Sequence, residues 1–157
     1  MVVAEGIPIT HQKEVAMKSS KFWIAVVAAG VVANVFDYVV HGMILQNAYY
    51  SKMTDLMNQG GNPTWFVVGD FIAVLVLAWV YDKVYGTFGG GPKGGAMFGL
   101  YAGVLVNFPA GIFFHLMFKG FPYALSWVWI ILGIIFYVIV GAVLGAMYKK
   151  GEPAPAS

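Results

Sequence analysis

Six residues able to carry charge or strong hydrogen bonds interrupt the long apolar runs of this chain: Asn34, Asp37, His41, Asp70, Asn107 and His115. An ionisable side chain in hydrocarbon is costly and is generally kept for binding, for proton or ion movement, or for assembly. Threaded through a bilayer as helices, the runs put all six in one half of the membrane. Asn34, Asp37 and His41 fall within about 60° of one another on one helix. At about 1.5 Å per residue, Asp37 lies about 22 Å and His41 about 28 Å from Phe22, Asp70 about 9 Å from Thr64, and His115 about 28 Å from Ala96. These depths predict an outer-half polar cluster in which Asp37, Asp70, His41 and His115 meet. Two like carboxylates placed there need a shared proton, a charged histidine or a bound ligand.

Several chemistries fit such a cluster. Neutral imidazoles of His41 and His115 would ligate haem or a chlorophyll-type pigment, with Gly42 and Gly111 leaving room beside the rings. Asp37, Asp70 and the histidines would serve as relay groups for a proton or cation. Nothing polar continues that path toward the cytoplasm beyond Asn34 and Asn107. Two histidines and two carboxylates form a possible metal donor set, yet they come from three helices with no local ligand motif, and no metal site is assigned. The plainer reading is that a neighbouring histidine or tyrosine holds Asp37 while both histidines sit in the wet headgroup zone.

Composition limits the alternatives. Of 157 residues, 60% are hydrophobic and only 10% charged, with a mean hydropathy of +0.76, against about 25% charged residues in ordinary soluble domains. The absence of cysteine excludes disulfides and thiol chemistry. Every basic residue is lysine, so the bidentate clamps that arginine makes on carboxylate or phosphate are missing. A net charge of +2 gives no case for nucleic acid. Gly89, Gly91 and Gly94 match a dinucleotide-binding spacing, but they follow a membrane helix where a strand is required. No nucleophile elbow or phosphate loop is present, and no enzymatic activity is expected.

Four runs long enough to cross hydrocarbon must position these residues: Phe22 to Leu45, Thr64 to Tyr81, Ala96 to Phe118 and Ala124 to Tyr148. The sequence therefore predicts an all-α, four-helix transmembrane bundle over residues 21–150, with polar tails at 1–20 and 151–157. The first tail lacks the early apolar core of a secretory signal and is read as retained, with His11 in it solvated. Lys13, Lys18, Lys21, Lys83, Lys93, Lys149 and Lys150 lie on one side, Lys52 and Lys119 on the other. That asymmetry places both termini in the cytoplasm.

Between the first two runs, Tyr49, Tyr50, Met53, Leu56 and Met57 suggest an amphipathic surface helix stopped by Gly60 and Gly61. Asn62 and Pro63 suit a cap and first turn for the second run, and residues 86–95 read as a glycine-rich loop. Ala29 to Asn34 recurs as Ala102 to Asn107, and Trp65 to Gly69 as Trp129 to Gly133, consistent with two tandem helical hairpins. Gly99, Gly103 and Gly111 in the third run, and Gly133, Gly141 and Gly145 in the fourth, fall on rows of four-residue spacing that let helix backbones approach closely. Since such a row drifts about 40° per step, the one in the third run is expected to be shared among several neighbours. Pro109 is expected to kink that helix.

Asn34 to Asp37, Asn107, the Phe121-Pro122 turn and the small-residue last helix ending at Gly145 resemble a group of small four-helix bacterial membrane proteins of unknown function. The resemblance covers roughly residues 22–148 and departs at Asp37-Tyr38 and His41, so it lends the histidines no support. It implies a bacterial inner-membrane location and no activity. The function expected from the sequence is a non-enzymatic accessory or structural subunit of a larger membrane complex, with other membrane subunits and lipids as partners. A haem- or pigment-binding subunit and a small transporter or proton/cation channel are the alternatives.

Overall fold

A computed structural model describes residues 20–56 and 61–148. The expectations for the terminal tails, His11, Met57 and Gly60 lie outside the described residues. Among the described residues, four helices are long and apolar enough to cross a membrane: span one (Ser20–Lys52), span two (Thr64–Phe88), span three (Gly91–Met117) and span four (Tyr123–Met147). The chain is an all-α four-helix bundle and a multi-pass membrane protein. A helix suits these sequences because it satisfies its backbone polar groups internally where no water is available. The proximal end of the bundle carries Ser20, the Gly89-Gly90 link and Tyr148. The distal end carries residues 46–63 and the turn before Tyr123.

Packing is uneven. Spans three and four are joined along their whole length, span one packs on spans two and four, and span two only touches span three. Lipid tails are as apolar as the side chains, so close packing supplies the association. An added Cβ at Gly95 would strike the backbone of Gly141, at Gly99 that of Tyr137, and at Gly111 the side chain of Ile130. At Gly103 it would come within 3.0 Å of Ile134 Cα. The Asn107 carboxamide fills the space over Gly133. The expectation that the row in span three is shared among several neighbours is thus corrected: all of it faces span four. Because the facing row has the same four-residue period, winding the two helices about each other in a right-handed sense cancels the drift.

Three boundaries also differ from expectation. The glycine-rich loop is reduced to Gly89 and Gly90, since span two runs to Phe88 and span three begins at Gly91. Left-handed φ values of 76° at Gly89 and 80° at Gly91 make the reversal, and Gly94 packs beneath the carbonyls of Phe88 and Gly89. Span one continues past Leu45 where a separate surface helix was expected, passing through a π-helical segment, Tyr38–Leu45, and ending in a single turn at Tyr50–Lys52. This extension is apolar enough to bury: Val40, Leu45 and Tyr50 form a small core with Leu125 of span four. Asn62 caps span two as expected, its Oδ1 accepting the Thr64 N–H at 3.0 Å. Span three runs through Pro109 as one helix.

Candidate functional site

The polar residues of span one lie along a stretch whose hydrogen bonding changes from α to π just after Asp37. A π segment pairs residues five apart and so re-phases the side chains beyond it, an arrangement frequent at functional sites. Here it turns His41 and, further on, Tyr50 toward span four. Tyr50 Oη lies 2.7 Å from His41 Nδ1 and accepts the Trp129 Nε1–H at 2.9 Å. Trp129 can only donate, so the phenol's own hydrogen is available to His41 Nδ1 in the tautomer that carries its proton on Nε2. The His41 and Tyr50 rings stack at 6.1 Å. Phe114 and Phe121 close on Trp129 at 5.4 and 5.1 Å.

On the side of His41 toward span two, the carboxyl groups of Asp37 and Asp70 stand within hydrogen-bonding range of each other, and Asp70 is close enough to His41 to feel its charge. The carboxyl pairing inferred from helical depth is therefore present, with His41 beside it. His115 is not part of this group. It projects from span three against Tyr123, ring centroids 4.8 Å apart, with Nδ1 buried and without a hydrogen-bond partner among the described residues. Spans one and three are not packed neighbours. The predicted four-residue pocket is corrected to Asp37, Asp70 and His41, completed by Tyr50 and Trp129.

The other candidate residues have structural partners. Asn34 donates from Nδ2 to Gly30 O, and Asn107 donates in the same way to Gly103 O, both at 2.9 Å. The two asparagines thus share one geometry at matching places of the two similar segments, although their surroundings differ. Asn107 occupies the space over Gly133, whereas Gly69, the counterpart of Gly133, has nothing within 4 Å of an added Cβ. The room expected at Gly111 is taken by Ile130, and an added Cβ at Gly42 would rest 3.5 Å from the Tyr38 ring. Among the described residues, no group of three or more His, Cys, Asp or Glu side chains is arranged to hold a metal ion.

Sequence reading missed a second polar site at the proximal end. Asp82, 3% exposed, accepts the Tyr148 hydroxyl at 2.6 Å and pairs with Lys83 at 3.2 Å. Burial, reinforced by the Asp82 carboxylate, pushes the Tyr148 phenol above the ordinary tyrosine range. Beside it, Tyr81 donates to Gly89 O at 2.8 Å, tying span two to the link that follows. The signal was available: Val74, Ala78, Tyr81 and Asp82 keep helical spacing, so Asp82 continues the buried face and is not a flanking charge.

Comparison with protein-family models, with curated proteins and with solved structures finds no match to this chain.

Proposed function

We propose that the chain is a non-enzymatic accessory subunit of a larger membrane protein complex, joined to it through the distal half of its first hairpin. The observation that carries this reading is the unequal completion of the repeat. In the second hairpin Trp129 is enclosed by aromatic rings and Gly133 is covered by Asn107. In the first, Trp65 and Phe66 are each 73% exposed and Gly69 faces open space. A packing position closed within one hairpin is open to another helix in the other. The lysine asymmetry supports an orientation with both termini in the cytoplasm, and the resemblance noted above supports the bacterial inner membrane. A photo-reactive residue at Trp65 should then crosslink to protein, while one at Leu105, exposed on span three, should crosslink mainly to lipid. Lipid adducts alone from both positions would refute the reading.

A second reading, proton or cation handling, is favoured by the contact between Asp37 and Asp70 with His41 beside it. The haem or pigment reading loses its geometric support, since His41 and His115 face different surroundings.

A further inference from the structure

The distal half of span two is attached to the bundle in an unusual way. Every residue from Thr64 to Gly69 is exposed. The buried residues of span two begin at Val74, and the distal core around Val40, Leu45, Tyr50 and Leu125 includes nothing from span two. Toward the distal end the Phe71 ring lies over Gly30, and Val67 lines an open groove with Val31, Val35 and Tyr38 of span one. Beside it stands the carboxyl pair of Asp37 and Asp70.

We propose that Asp37 and Asp70 form a proton-operated clasp that holds the distal half of span two against span one and releases it when the pair loses its proton. One proton held between the two oxygens makes a hydrogen bond across the helices. Its loss leaves two like charges in contact in a medium that screens them poorly, so the helices part along the distal half of span two, where no residue of that span joins a buried core. Among the described residues, the titratable groups that act on the pair are His41 from the same helix and Tyr50 from its extension, itself held by Trp129 of span four. The clasp is independent of the subunit reading, because it concerns contacts within one chain.

The test uses the full chain in liposomes of neutral lipid. One spin-label pair is attached at Trp65→Cys and Met43→Cys, and a control pair across spans three and four at Leu105→Cys and Ile131→Cys. All four positions are exposed, and the chain has no native cysteine. Distances are measured at about pH 5 and about pH 9, either side of the range in which a carboxyl pair and a histidine in such a site exchange protons. The expected result is a shift to longer, broader distances in the first pair only as pH rises. That shift should be abolished by Asp37→Asn and by Asp70→Asn, because a carboxamide hydrogen-bonds to a carboxyl without a shared proton. No shift in the wild type, an equal shift in both pairs, or a shift that survives both asparagine variants would overturn the proposal.

Discussion

The contact between spans three and four allows a prediction whose sign changes from one glycine to the next. Replacing a helical glycine by alanine gains about 1 kcal/mol of helix propensity where the methyl group meets nothing. Gly69 is such a position, with no atom within 4 Å of the added Cβ. Gly99→Ala instead drives the methyl group into the backbone of Tyr137 and to 3.1 Å from Val138 Cα. Backbone cannot rotate aside as a side chain can, so the helices must separate. Overpacking of this kind costs about 1–3 kcal/mol and occasionally more, which exceeds the propensity gain. Gly69→Ala should therefore be neutral or stabilising and Gly99→Ala destabilising by about 1–2 kcal/mol. Gly103, whose nearest contacts are at 3.0 Å, should fall between them. Reversible unfolding in mixed detergent micelles, followed by circular dichroism, gives the ranking. If Gly99→Ala proved as stable as Gly69→Ala, the meshed glycine rows would be wrong.

Other consequences can be checked separately. Tyr148→Phe removes the hydroxyl that Asp82 accepts and should cost about 1.5–3 kcal/mol, the usual worth of a hydrogen bond to a charged group. Burial holds the Tyr148 proton more tightly in the folded chain than in the unfolded one. The hydroxyl's contribution is therefore present below the unfolded phenol value of about 10 and declines as pH rises through the folded one, so the gap between wild type and variant should narrow in alkaline unfolding experiments. Tyr50→Phe strands both His41 Nδ1 and Trp129 Nε1, and should lower the melting temperature and shift the Trp129 fluorescence. A cysteine at Asp55 should react with an impermeant maleimide in intact cells while one at Thr87 stays protected; the reverse pattern would invert the proposed topology.

Much of the architecture was readable because lipid allows few solutions. Length and hydropathy alone located four spans, and the glycine spacing identified the tight helix pair. Periodicity could not reveal that two helices with matched rows wind together, because that depends on the partner. Nor did the residues around Leu45 announce that span one would continue through a π segment. Tyr49, Tyr50 and Met53 are as suited to a membrane surface as to a small core, and Leu125 and Trp129 decide between them. The same limit governs the polar residues. Helical depth joined Asp37 to Asp70, which lie on packed spans, but depth carries no azimuth, and so it also drew in His115 from a helix that does not pack along span one. Asp82 was passed over because a charge near a helix end ordinarily meets water.

If the first hairpin completes its packing with another protein, the chain should leave the membrane in its company. Extraction of the chain directly from its membrane into polymer-bounded lipid discs, followed by native mass spectrometry, tests this without dispersing weak complexes. The expected result is a species heavier than the 17.0 kDa chain, containing further protein, and its conversion to the free chain by Gly69→Leu, which fills the open position in the first hairpin. A lone 17.0 kDa chain from wild-type membranes would contradict it.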